Sequence, residues 1–345
     1  MENYKNITAQ NNLPYVRLFI FSFFSVTFLV GAPGSILIIH SVLVRRSLQN
    51  PRNYFIVNLA CSDITTLLTF FPFYTSNIAQ FLPFMPQVLC KIGMTSSVVL
   101  VTVSVSTHVA IALERRRAIV FPLLPKPSSK KIKIIILIIW TVSIIVSSHT
   151  LYLGTVYDGN VCGWNLNLKT YAEFFFWFYG ATRFLLPVGI LTGSYWQIIH
   201  TLRKNKGQAE ISLGNKAITR RFKNQRKAVR CLMALVSAFV LLNLPFNTGL
   251  VFFMRMTKFI DRITITYYLI ITLCINFMVF ALNPIILYLG STEYHLAFNE
   301  TFKQWMVFCC KMFSCCNENK YIKNRPMSAP VATLSFKITA SKRDG

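Results

Sequence analysis

Acidic residues are scarce in this sequence, with 11 Asp and Glu against 36 Lys and Arg. Charge of either sign makes up only 14% of the 345 residues, while 54% are hydrophobic. Soluble domains carry about 25% charged residues, so a bilayer must take up much of this apolar surface. Other patterns are missing too. No stretch alternates with the period of two that barrel strands need, and no internal repeat pairs two halves as in many transporters. Nucleophile triads, metal-ligand spacings and glycine-rich phosphate loops are absent, which argues against an enzyme.

What is present is a series of long apolar runs, at roughly 16 to 44, 54 to 82, 88 to 113, 132 to 153, 174 to 202, 229 to 254 and 263 to 290. Each exceeds the roughly 20 residues a helix needs to cross the hydrocarbon. Helices are the expected form, because an open sheet leaves backbone groups unpaired in lipid. Asn3, Lys5 and Asn6 open the chain with polar residues, and the first apolar run reads as an anchor rather than a cleavable signal.

Positive charge is confined to alternate connections. Arg45, Arg46 and Arg52, seven basic residues between Arg115 and Lys133, ten between Arg203 and Arg230 and eight in the tail fall on one side, 28 of the 36 in all. Basic residues flanking spans stay in the cytoplasm, which places the amino terminus outside. The net charge of +25 then faces anionic lipid headgroups and an acidic cytosolic partner rather than nucleic acid.

Several residues inside the spans carry chemistry. Asp63, in Asn58-Leu59-Ala60-Cys61-Ser62-Asp63, sits within the second span, where an ionisable group is costly unless it faces a polar cavity or stays protonated and hydrogen-bonded. Glu114-Arg115-Arg116 closes the third span 25 residues after Cys90, enough helix to join one membrane face to the other. Trp140 lies in the fourth span, Pro187 in the fifth, Pro245 in the sixth and Asn283-Pro284 in the seventh. Each proline removes a backbone hydrogen bond and gives its helix a hinge.

In this order, over about residues 15 to 310, these residues resemble the rhodopsin-like G protein-coupled receptors. The resemblance implies that Asp63, Ser104 and Asn283 line an interior sodium site. It implies that Arg115, with Glu114, restrains the sixth helix or contacts a heterotrimeric G protein, and that Tyr195 rearranges on activation. Val105, Pro187 and Phe239 match the family's packing switch. Four departures stand out: Ser35 replaces the usual asparagine of the first span, Asn243 replaces the usual tryptophan before Pro245, Tyr288 falls one residue late in the Asn-Pro motif, and Gln225 stands where an acid often faces the arginine. Together they imply a loosely locked off state.

Cys90 and Cys162 are the only cysteines placed outside, and the choice is between a disulfide and two free thiols. The oxidising exterior favours the bridge, as does the family. Glu293 to Phe308 reads as an amphipathic helix on the inner surface, followed by Cys309, Cys310, Cys315 and Cys316. Palmitoylation is the expected fate of these four, with a zinc site or no modification as rivals. Asn6-Ile7-Thr8 is a glycosylation sequon in the outer segment, while the sequon at Asn299 faces the cytoplasm. Ser328, Thr333, Ser335, Thr339 and Ser341 in the tail offer phosphate acceptors for a receptor kinase and arrestin, or occur there by chance.

Two ligand classes are set aside by residue type: the resemblance puts Phe277 where a retinal lysine would stand and Ser97 where an amine receptor has aspartate. Arg183, one turn before Pro187, is the conspicuous charge of the outer half, suited either to an acidic ligand group or to a structural pair. Ser97, Trp177, Tyr179, Asn243, Asn276 and Phe280 are the candidate pocket around it, each with ordinary packing as the alternative. Asp158, Glu173 and Asp261 are candidate outer contacts for a basic peptide. The third-span end and basic third inner loop look most like the neuropeptide-receptor branch.

The expected fold is all-α: a seven-helix integral membrane bundle over 16–290, after an extracellular segment 1–15. An amphipathic eighth helix with its cysteines (291–316) and a disordered cytoplasmic tail (317–345) complete it. The expected activity is to bind an extracellular peptide and activate a heterotrimeric G protein, with no cofactor beyond the sodium ion. A small carboxylate ligand, a decoy or scaffold role, and a transporter or channel are the alternatives.

Overall fold

The computed structural model describes residues 14–79, 84–157, 161–165, 169–211, 216–256 and 262–312. Helices dominate them: α1 (Pro14–Val44), α2 (Asn53–Ala79), α3 (Gln87–Val120) and α4 (Ser129–Ser147). The next, α5, joins an α-helix over Lys169–Gly180, a π-helical turn at Ala181–Leu185 and a second α-helix over Leu186–Ile211. Lys216–Met256 is α6, Arg262–Gly290 is α7 and Thr292–Met312 is α8. By length and composition, α1, α2, α3, α4, α6 and α7 can each cross a membrane, α4 running into the turn Thr150–Leu153. The seventh expected span is α5, whose apolar run is divided by the π turn.

The all-α expectation needs one addition. Gly154–Tyr157 (β1) and Val161–Trp164 (β2) form an antiparallel hairpin in which Val156 faces Cys162. Cys162 is bonded to Cys90 on the first turns of α3, with Cα atoms 5.5 Å apart. Gln87 seals the junction, donating to the Gly154 carbonyl at 3.1 Å and accepting from the Val156 amide at 3.0 Å.

Within residues 1–301, α1 packs on α2 and α7, α7 on α6, α6 on α5, and α5 on α3, which also holds α2 and α4. Apolar side chains cover both the interior and the outward faces. Leu29, Leu137, Ile145 and Leu289 are exposed, as suits helices whose solvent is lipid. Small residues set the close approaches: a Cβ on Gly34 would lie 2.5 Å from Pro284 Cγ, so α1 meets α7 there only because residue 34 is glycine. Hydroxyls buried in these helices bond their own backbone, as Thr66 does to the Ser62 carbonyl and Thr107 to that of Val103. Ser128 caps α4, its hydroxyl accepting from the Lys131 amide.

One buried network joins three helices. Trp140 Nε1 donates to Asn58 Oδ1 at 2.9 Å, and Asn58 Nδ2 donates to Thr107 Oγ1 at 2.8 Å, linking α4, α2 and α3. Pro33 and Pro72 also lie inside helices, in addition to Pro245 and Pro284.

Candidate functional site

A cavity of about 110 Å³ opens among α2, α3, α5, α6 and α7, toward the end of α3 that carries the disulfide. Phe70, Val105, Phe239, Phe277 and Phe280 form one apolar part of its wall. Phe277 lies edge-on to Phe24 and Phe280 and close to Phe70, at centroid distances of 4.8 to 5.4 Å. Ser97, Tyr179, Arg183, Asn243 and Asn276 all line the cavity. Trp177 does not: it is 49% exposed. Six residues before Arg183, it lies about 240° round an α-helix from it, whereas Tyr179, four residues before, shares its face.

The polar groups of the cavity are tied to one another. Asn276 Nδ2 donates to Asn243 Oδ1 at 2.7 Å, while Asn243 Nδ2 donates to the Phe239 carbonyl at 2.8 Å. Asn243 thus replaces an aromatic ring with an amide link between α6 and α7. Arg183 is only 6% exposed. Its guanidinium donates to Thr102 Oγ1 and lies 3.8 Å over the Tyr179 ring, a cation–π contact. The π turn that aims Arg183 and Phe184 inward precedes Pro187, whose missing N–H leaves the Arg183 carbonyl without its α-helical donor. The proline was visible in the sequence; the π turn was not.

In the cavity wall, Val105 and Phe239 share a core cluster. His108, 1% exposed, stacks on Phe239 at 4.5 Å, and its Nδ1 meets the Ser104 carbonyl at 2.8 Å. No pattern in the sequence singled out His108. Pro187 is buried on α5, and the Pro245 carbonyl accepts from Tyr268 Oη at 3.0 Å.

Asp63 and Asn283 meet directly, Asn283 Nδ2 donating to Asp63 Oδ2 at 2.8 Å. Asp63 Oδ1, Asn283 Oδ1 and Ser35 Oγ are buried with no hydrogen-bond partner among the described residues. Unpaired hard oxygens are the donors a hard cation takes, so Asp63 and Asn283 fit an interior sodium ion. Ser104 is buried, and its backbone carbonyl meets His108 Nδ1.

At the far end of α3, Glu114 lies 3.8 Å from Arg115 Nε and 4.0 Å from Arg52 Nε. Tyr195 and Tyr294 are both within electrostatic reach of Arg115. Tyr294, on the first turn of α8, belongs to no motif in the sequence, unlike Tyr288. Tyr288 turns to α8 instead, donating to Asn299 Oδ1 at 3.2 Å and packing on His295 at 4.4 Å. Arg116 Nε donates to Gln197 Oε1 of α5 at 2.5 Å. Asn6, Asp158, Asp261, Cys315, Cys316 and the tail hydroxyls lie outside the described residues, as do the side chains of Glu173, Gln225, Cys309 and Cys310.

Comparison with known proteins fits this geometry. Residues 34–287 match the 7 transmembrane receptor (rhodopsin family). The human growth hormone secretagogue receptor type 1 is 27% identical over 78% of this chain and 76% of its own length. The RYamide receptor of Tribolium castaneum is 24% identical over 68% of this chain and 67% of its own. The dopamine D2-like receptor of Drosophila melanogaster is 30% identical over 49% of this chain, a match spanning only 19% of that receptor. With most of its length matched and a helical bundle of this build, the chain belongs to the rhodopsin family of seven-transmembrane receptors.

Proposed function

We propose that this receptor binds an extracellular peptide by one end of it in the cavity between α3, α5, α6 and α7 and activates a heterotrimeric G protein from its opposite end. The observation that carries the reading is the placement of a cavity and the Glu114–Arg115 cluster at opposite ends of one continuous helix, α3, in a chain of this family. Likeness to the growth hormone secretagogue and RYamide receptors over two thirds or more of the chain supports a peptide ligand.

The basic loops support an Arg115 end in the cytoplasm and residues 1–15 outside, with Asn6 available for glycosylation. Ligand binding at one end and G protein at the other stabilise the same arrangement of helices, so each strengthens the other. Asp63 and Asn283 hold sodium in the arrangement that disfavours this exchange. Cys309, Cys310, Cys315 and Cys316 serve as acylation sites. The tail, 317–345, takes phosphate from a receptor kinase and recruits arrestin.

The test is nucleotide exchange on a G protein in cells expressing the chain at their surface, challenged with a peptide library. A dose-dependent signal that Arg115→Ala abolishes is expected. Binding without exchange would instead establish a decoy receptor, the second reading, which Asn243 and the turn of Tyr288 toward α8 favour.

A further inference from the structure

Arg183 has an unmet need for an anion. A guanidinium stays protonated in proteins, and a charge taken out of water is stable only when paired and hydrogen-bonded. Here 6% exposure leaves almost no access to solvent. Its contacts are a neutral hydroxyl, Thr102, and the face of a neutral ring, Tyr179. Its Nε has no hydrogen-bond partner, and no carboxylate lies within ion-pair distance among the described residues. Glu173, ten residues earlier on the same helix, is roughly 15 Å away by helical rise.

The surroundings say what the anion must be attached to. Among the described residues the cavity has no acidic lining, so a ligand ammonium group finds no counter-charge from them. Its volume of about 110 Å³ accepts a group of several heavy atoms on the scale where one water fills about 10–15 Å³. That is room for a carboxylate with one adjoining side chain, and too little for the body of a peptide. Phe175, Phe184 and Phe246 supply apolar wall, and the bridged pair Asn243 and Asn276 supplies amide edges. A carboxylate matches the guanidinium through paired charge-assisted hydrogen bonds.

We infer that Arg183 anchors the carboxylate of the ligand, with an apolar or aromatic side chain next to it seated against the phenylalanine wall. The carboxylate is either the free C-terminus of a peptide or that of a small aryl carboxylic acid. The inference rests on the reading of the chain as a receptor with its ligand in this cavity. It separates free-acid peptides from C-terminally amidated ones, since an amide leaves the guanidinium without its counter-charge.

The experiment uses the full chain in neutral-lipid nanodiscs and follows thermal unfolding with millimolar 3-phenylpropanoate or its amide, and with a phenylalanine-terminated tetrapeptide as free acid or amide. The free acids are expected to raise the unfolding midpoint and the amides to leave it unchanged. Arg183→Gln should weaken the apparent affinity for the acids roughly tenfold or more, the weight of a charge-assisted hydrogen bond, and Arg183→Lys should retain part of it. Stabilisation by the tetrapeptide acid alone assigns the site to a peptide terminus, and by phenylpropanoate alone to a small acid. Equal effects of acid and amide, no stabilisation by either acid, or an undiminished response in Arg183→Gln would overturn the inference. Should Arg183→Gln fail to fold, the contrast between acid and amide on the unaltered chain decides. Nucleotide exchange in the same preparation keeps the two readings apart: acids that bind without exchange remove the signalling role and leave this site, whereas exchange evoked only by amides does the reverse.

Discussion

Asn276 Nδ2 donates to Asn243 Oδ1 across 2.7 Å, so that two amides join α7 to α6 in the wall of the cavity. A bridge between two helices at this level links the cavity to the segment of α6 that contains Pro245. In a cycle of Asn243→Ala, Asn276→Ala and the double variant, thermal unfolding should return a coupling of about 1 kcal/mol. Strictly additive losses would show that the two residues act independently.

Gly34 is needed for the contact of α1 with α7. A Cβ there would lie 2.5 Å and 2.6 Å from Pro284 side-chain carbons, while one on Gly189 meets nothing within 4 Å. Gly34→Ala is expected to destabilise by about 1–3 kcal/mol through overpacking, and Gly189→Ala to be neutral. Equal midpoints for the two variants would contradict this account.

Asp63 and Asn283 leave unpaired oxygens in a buried site. Replacing choline by sodium in the buffer should raise the unfolding midpoint of the unaltered receptor and do nothing for Asp63→Ala. The same sodium response in both would exclude Asp63 as the ligand of the ion.

Tyr294 and Tyr288 should separate in their effects. Tyr294 lies within electrostatic reach of Arg115, and burial pushes its phenol pKa up. Tyr288 binds Asn299. Tyr294→Phe is expected to change ligand-stimulated nucleotide exchange at constant ligand affinity. Tyr288→Phe should leave exchange unaltered, with a loss of about 1 kcal/mol for the missing hydrogen bond. Matching exchange rates in the two variants would place both tyrosines in a purely structural role.

Much of this site was legible because its constraints are local or compositional. Asp63, Arg183 and Pro187 announce themselves as charges or helix breakers in apolar runs, whatever surrounds them. The direct bond of Asn283 to Asp63 spans 220 residues of sequence, and the resemblance supplied that partnership. His108 is not legible in the sequence because a single histidine on a helix has no periodic signature; its stacking on Phe239 exists only once α3 and α6 are packed.

By itself the sequence determined the helical, membrane-crossing character of the chain and its basic face, because hydrocarbon admits only internally bonded backbone and charge resists crossing it. Tertiary structure alone decided which polar atoms find partners. Arg183 joins the cavity wall while Trp177 stays outside it, Asn243 meets Asn276 rather than packing as a ring would, and Tyr294 rather than Tyr288 comes within electrostatic reach of Arg115. Such pairings depend on helix rotation and register, which in these helices are fixed by contacts such as Gly34 against Pro284 between residues far apart in the chain.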